Sequence, residues 1–146
     1  MIWFQKLEKF SGNQWGWVLD SLIKDKDSRQ ALINFNQPKH KYNGVKDFPC
    51  TLSIQYLIRD NQLISITNMR SNDLVYGLGN DFPFFSYLHQ RLHKQLKEVY
   101  PELGLGKIIH TAGSLHTYEK HYKMMDNIID EYNVHEHKSA ELKKDI

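Results

Sequence analysis

A chain of 146 residues with 40% hydrophobic and 12% aromatic side chains is sized and composed for one globular domain with a real core, which excludes a disordered chain. Its net charge of +2 is far from the strong basic excess of an obligatory nucleic-acid binder. No apolar run approaches the ~18 residues of a membrane span, and MIWFQKLEKF lacks the apolar centre of a signal peptide. One cysteine excludes an internal disulfide and fits a reducing compartment, so a soluble, cytoplasmic protein is expected.

In chain order, Trp15, Val18, Leu19, Leu22 and Ile23 recur at helical spacing and predict an amphipathic helix, closed by the polar run Lys24 to Ser28. Ala31 to Phe35 is short and apolar and suits a buried strand. A polar linker with Pro38 and Gly44 follows from Gln37 to Asp47. In TLSIQYLIRDNQLISITNMR, Leu52, Ile54, Tyr56 and Ile58 alternate on a first arm and Leu63 to Met69 form a second. Asp60-Asn61 supplies the turn, so the stretch predicts a hairpin. Gly77 and Gly79 mark a tightly turning loop, and Pro83 stands where a helix can begin. Phe85, Leu88, Leu92, Leu96 and Val99 carry that helix to Pro101. LGLGKIIHTAGSLHTY reads as a loop, a short strand through Ile108 and Ile109, and a return toward the glycine loop. Tyr122, Met125, Ile129 and Tyr132 mark a last helix. The expected architecture is α+β, with helices packed on a mixed or mostly antiparallel sheet. It forms a single domain over residues 1–132, followed by a solvated polar tail over 133–146.

The side chains able to carry chemistry gather in FPCTLSIQY and in MRSNDLVYGLGNDFPFF. A thiolate is the best nucleophile available at neutral pH, and Arg70 could supply the positive field that Cys50 needs. A lone cysteine is by itself more often a buried structural thiol. The Arg70-Ser71 pair joins a bidentate cationic donor to a hydroxyl and suits a phosphate, although the same pair also reads as a solvated strand end. Asp73 and Asp81, separated by the two glycines, can address different parts of one ligand, and Asp81 also reads as a helix cap before Pro83. His116 and Tyr118, two apart on an extended segment, can point the same way. His110, His116 and His121 could be imagined around a metal, but no cysteine or carboxylate completes the set at usual spacing. His135-Glu136-His137 falls in the tail, and no metal is expected.

Taken together, Pro49-Cys50, Arg70-Ser71, Asp73, Gly77, Asp81 and His116-Thr117-Tyr118 resemble the nucleotide site of the thymidylate synthase and deoxycytidylate hydroxymethylase family, over about Gln14 to His121. The resemblance implies a thymidylate synthase-like fold in which Cys50 is the nucleophile that adds to pyrimidine C6. It places Arg70 and Ser71 on the nucleotide 5′-phosphate, Gln55 near the nucleotide, and His116 and Tyr118 on a ribose hydroxyl. Asp73 corresponds to the residue that orders the folate cofactor, 5,10-methylenetetrahydrofolate. A symmetric homodimer is also implied, with Arg29 reaching the neighbour's phosphate. Strict alternation sets Gln55 on the strand face opposite Cys50, so a bulge or bend is expected if both line one pocket.

At the position of Asp81 the synthases carry an asparagine that reads the uracil edge, and the hydroxymethylases an aspartate. Cytosine reverses that edge: a carboxyl group accepts from its amino group and, if it carries a proton, also donates to N3. The resemblance therefore points to folate-dependent C5 hydroxymethylation of dCMP. A slip of one residue to Asn80 restores the uridylate reading, a thymidylate synthase acting on dUMP. Departures are Gln30, where synthases carry a second arginine, Thr51 for histidine, Met69 for glutamine and Ser114 for aspartate. Nothing before Gln14 resembles the family's amino-terminal third, with its phosphate-loop arginine and proton-handling glutamate, and the family's closing carboxyl-terminal tail is unrecognisable too. A non-catalytic nucleotide-binding fragment, or one subunit of a split enzyme, is the alternative from a different class. Such hydroxymethylases typically serve phage DNA modification, which implies a viral source and a host-cell cytoplasm, with a nucleotide rather than nucleic acid or membrane as partner.

Overall fold

The computed structural model describes residues 12–142, with side chains through residue 133. Helix α1 (Gln14–Lys24) opens on Asn13, whose side chain accepts the Gly16 N–H at 2.9 Å and so satisfies one of the unpaired donors of the first turn. Its apolar stripe buries Val18 and Leu22 completely. Strand β1 (Leu32–Asn34) pairs antiparallel with β2 (Thr51–Arg59), which pairs antiparallel with β3 (Gln62–Met69). Asp60 and Asn61 both adopt positive φ, 50° and 57°, the backbone of a two-residue hairpin turn that matches strand twist. The predicted hairpin and its turn are therefore present residue for residue.

The remaining strand of the sheet, β5 (Gly104–Ala112), pairs parallel with β3, giving the order β1-β2-β3-β5. A second, two-stranded sheet joins β4 (Asn72–Asp73) to β6 (Leu115–His116), also in parallel. The connection from β3 to β5 runs through helix α2 (Leu78–Leu96), so the sheet is mixed, as expected. Helices α1 and α2 pack on one face of it. Val18 and Leu22 from α1 and Phe85, Leu92 and Leu96 from α2 meet Ile54, Tyr56, Ile58 and Leu63. Replacing Leu92 or Leu96 by alanine would cost about 2–5 kcal/mol each. The opposite face presents Leu57, Ile64 and Ile66 half-buried, with Leu105 and Ile109 exposed.

Three expectations need correction. Helix α2 begins at Leu78, ahead of Pro83, which lies inside it. The turn is held by the Gly77 carbonyl, which accepts from Asn80 at 2.9 Å and Asp81 at 2.8 Å, and the proline omits one helical donor further in. Strand β5 is longer than the two isoleucines suggested, because Gly104 and Gly106 lie within it and not in a loop. Helix α3 (Tyr122–Leu142) continues beyond Asn133, so the backbone of the supposed tail is helical to Leu142; residues 143–146, like those before residue 12, lie outside the described part. The expected apolar positions of α3 do recur helically, yet Tyr122, Ile129 and Tyr132 remain exposed. None of the described helices is long and apolar enough to cross a membrane.

Candidate active site

Strands β3 and β5 end together, with Met69 opposite Ala112, and β2 starts beside them, with Thr51 opposite Met69. Beyond the carboxyl ends of parallel strands is where α/β sheets place ligands. Cys50, Arg70, Ser71, Asp73, His116 and Tyr118 all lie at this end, together with the first turn of α2 and its Asp81.

Cys50 is exposed, one residue before β2. Its carbonyl accepts the Arg70 N–H at 2.8 Å. The Arg70 side chain folds over the same loop: Nη2 donates to the Phe48 carbonyl at 2.8 Å and Nε to that of Pro49 at 3.2 Å, with the guanidinium 5.3 Å from the Phe48 ring centre. Arg70 is thus joined to Cys50 through the backbone, and part of its fork is engaged in shaping the loop. Between Thr51 and Ser53 the β2–β3 register shifts. An irregularity of that kind interrupts the alternation ahead of Ser53, at the place of the expected bend between Cys50 and Gln55.

Gln55 donates to the Arg29 carbonyl at 3.0 Å. Arg29 is exposed and lines a separate cleft of about 540 Å³ with Asp25, Asp27, Ser28, Gln30 and Arg59. Within one chain it is therefore not brought to Cys50.

Asp73 Oδ1 accepts the N–H groups of Val75 and Tyr76, both at 2.6 Å, a local turn that the side chain closes itself. The Tyr76 N–H holds its carboxyl below the ordinary carboxylate range; burial opposes this, while the Val75 N–H, His116 and His121 reinforce it. Gly77 is required by close approach, because a Cβ there would lie 2.2 Å from Asn72 Oδ1 and 2.7 Å from the Asp73 carbonyl. Gly79 has open space around it, so the expected role in tight turning holds for Gly77 and not for Gly79.

Asp81 is in the first turn of α2, where Gly77 occupies the cap position, so the helix-cap reading fails. Burial pushes its carboxyl above the ordinary range, against an opposing pull from His110. Asn80 is exposed and donates from its side chain to the Tyr76 carbonyl at 2.7 Å, turning back on its own turn. The His116 and Tyr118 rings stand edge to face with centres 5.4 Å apart, so the two do point the same way. Among the described residues no three His, Cys, Asp or Glu side chains are grouped to hold a metal ion, so His110, His116 and His121 do not converge on one.

Sequence reasoning missed Asn72 as a site residue and gave His110 only the metal reading. Asn72 is 3% exposed, and its Nδ2 lies 3.2 Å from Met69 Sδ and 2.9 Å from His110 Nε2. His110 in turn lines an apolar cleft of about 730 Å³ with Leu74, Leu78, Phe82, Pro83 and Leu115. At this end of the molecule Asn72 Oδ1, Asp73 Oδ2, His110 Nδ1, His116 Nδ1, Thr117 Oγ1 and His121 Nε2 are buried without a protein partner, more densely than along the sheet and α2, where Tyr56, Ser65, Thr67 and His89 each leave one such atom. Each such group is worth roughly 1–3 kcal/mol if left unsatisfied, so this concentration marks a place built to bond something else. An apolar wall that includes Leu74, next in sequence to the unpartnered carboxylate oxygen of Asp73, fits a flat ligand rich in N–H donors.

The sequence model of the thymidylate synthase family matches residues 3–145. Among characterised proteins, the deoxycytidylate 5-hydroxymethyltransferase of Enterobacteria phage T6 is 35% identical over 120 residues, 78% of this chain and 49% of that protein. Its counterpart in phage T4 is 34% identical with the same coverage. A deoxyuridylate hydroxymethyltransferase of Delftia phage PhiW-14 is 33% identical over 95 residues, 57% of this chain and 27% of that protein. The chain spans about half the length of the first of these relatives.

Proposed function

Because the chain belongs to the thymidylate synthase family, we propose that it provides the nucleotide site of an enzyme that hydroxymethylates C5 of dCMP. The observation that carries the cytosine reading is the contrast between two neighbours. Asn80 uses its amide on the Tyr76 carbonyl, whereas Asp81 is half-buried with its carboxyl raised toward the protonated form that cytosine N3 requires. The names of the phage T6 and T4 relatives agree with that reading.

In this reading Cys50 Sγ adds to C6 of the pyrimidine and makes C5 nucleophilic, and its later departure restores the ring. Arg70 and Ser71 hold the 5′-phosphate; His116 and Tyr118 bond the ribose; Gln55 lies near the nucleotide. Asp73, through its unpartnered Oδ2, and the wall of Leu74, Phe82 and Leu115 would hold 5,10-methylenetetrahydrofolate. When bound, that cofactor supplies the one-carbon unit taken up at C5. The protein's part is to orient Cys50 and the base and to admit water, which gives a hydroxymethyl rather than a methyl product. A homodimer would bury Leu57, Ile64, Ile66, Leu105 and Ile109 and bring Arg29 to the neighbour's phosphate, with the product serving DNA modification in a phage-infected cell.

Calorimetry with dCMP and dUMP on this chain and on Asp81→Asn tests the reading. Preference for dCMP that collapses or reverses in the variant is expected. Preference for dUMP in the unaltered chain would select Asn80 and a uridylate enzyme, a reading favoured by the name of the PhiW-14 relative. A second class of function, a nucleotide-binding subunit of a split enzyme, is favoured by the half-length span. It predicts dCMP binding with turnover only after a polypeptide equivalent to the relatives' other half is added.

A further inference from the structure

We propose that Asn72 and His110 form a positioning relay behind Asp81, in which the amide fixes the imidazole tautomer and the imidazole N–H fixes the carboxyl group that reads the base. The inference rests on the cytosine reading of Asp81 and assigns the residues that make it selective.

The relay starts from a buried amide. Asn72 Nδ2 lies against Met69 Sδ, and a thioether can only accept, so the nitrogen and not the oxygen faces this side. The same nitrogen lies 2.9 Å from His110 Nε2. An amide N–H donates, so Nε2 accepts and carries no proton, which places the ring proton on Nδ1. Nδ1 is buried and has no protein partner.

The ring looks at the start of α2. Its centre lies 6.5 Å from that of Phe82 and 5.8 Å from that of Phe85, and Asp81 adjoins the first and sits one helical turn before the second. Asp81 therefore shares a side of α2 with Phe85 and faces the region of the ring, and His110 acts on its carboxyl electrostatically. Other polar groups near the ring are Thr67, its partner across β3–β5, and Asn72 on β4. Thr67 Oγ1 is buried without a protein partner.

Nδ1 is unpartnered in the nucleotide-free protein, so its N–H is available to the Asp81 carbonyl oxygen once a base is bound. With Asp81 protonated, its hydroxyl is then left for cytosine N3, while the same carbonyl oxygen accepts from the N4 amino group. Asn72 decides whether this happens. An acceptor in its place would draw the ring proton to Nε2, stabilise the charged imidazole, and hold Asp81 ionised, which leaves N3 without a donor.

The test has two parts on the full chain. Nitrogen-15 NMR of the ring in the nucleotide-free protein should show neutral His110 protonated at Nδ1, with Asn72→Asp converting it to the charged form at the same pH. A ring protonated at Nε2 in the unaltered protein overturns the relay whatever the nucleotide results. Calorimetry should then show the dCMP-to-dUMP affinity ratio falling tenfold or more in both Asn72→Asp and His110→Phe, with dUMP affinity changed less than threefold. Because Asn72 is buried, His110→Phe, an aromatic replacement among phenylalanines, keeps the test valid if the first variant does not fold. A dCMP preference that persists unchanged in His110→Phe overturns the relay alone. Absence of that preference in the unaltered chain overturns the cytosine reading and the relay's purpose together, while the NMR result still reports its geometry.

Discussion

The two ends of one sheet satisfy their polar groups to different degrees. At the hairpin end, Asn61 uses its amide in both directions, accepting from Lys26 Nζ at 2.8 Å and donating to the Glu102 carbonyl at 2.6 Å, and its own carbonyl accepts from Gly104 at 2.8 Å. At the other end, where β3 and β5 finish, buried oxygens and ring nitrogens of Asn72, Asp73, His110, His116, Thr117 and His121 have no protein partner. A fold reaches marginal stability by satisfying its polar groups. The end that leaves them unsatisfied, beside an exposed cysteine and an apolar cleft, is the one with bonding capacity for a ligand.

The largest expected effect strips the chemistry from the ligand-facing end without touching its shape. Exchange of the C5 hydrogen of dCMP with solvent requires addition at C6, and proton NMR in heavy water follows it. If Cys50 is the nucleophile, Cys50→Ser slows that exchange by about 10³-fold or more, with dCMP affinity within a few-fold of the original. Equal exchange in both proteins would reduce Cys50 to an exposed thiol with no role.

The two glycines sharpen the contrast inside the site itself. Gly77→Ala drives a methyl group onto Asn72 and the Asp73 backbone and should destabilise the protein by about 1–3 kcal/mol in urea, while loosening nucleotide binding. Gly79→Ala meets nothing within 4 Å in the first turn of a helix and should be neutral or stabilising by up to about 1 kcal/mol. At the hairpin end, Asn61→Val places a β-branched residue at φ 57° and removes both amide bonds, for a loss of about 1–3 kcal/mol. Its effect on nucleotide affinity should be nil, which is the point of the comparison.

How far the sequence revealed these ends differs for a physical reason. The hairpin was legible because alternation and the Asp60-Asn61 turn act over adjacent residues. The start of α2 was not, since Gly79, Asn80 and Pro83 all signal a loop, and only the closure of Asn80 and Asp81 onto the Gly77 carbonyl makes them helical. Glycines hid the first half of β5 in the same way. The site's reactive residues were visible as types, and the family resemblance gave them roles. Asn72 escaped because β4 is two residues long, too short for any periodicity, and its meeting with His110 on β5 joins segments far apart in sequence.

The smallest expected effect lies away from the ligand-facing end, where Tyr56 Oη, Ser65 Oγ and one nitrogen of His89 are also buried without a partner. His89 is fully buried, its Nε2 bonds the Leu63 carbonyl at 2.9 Å, and its Nδ1 has no partner. Burial lowers its pKa; the bond to Leu63 works the other way, and His93 adds to the lowering. A histidine with a lowered folded pKa binds its proton more readily in the unfolded chain. Stability that is complete above the unfolded value of about 6.5 is therefore lost progressively as pH falls toward the folded one. Denaturation at a series of pH values should show this slope in the unaltered chain and a shallower one in His89→Gln, whose amide can still donate to Leu63 but cannot take up a proton. If the slope survives the substitution, the acid sensitivity does not come from His89, and its burial against Leu63 is indifferent to pH.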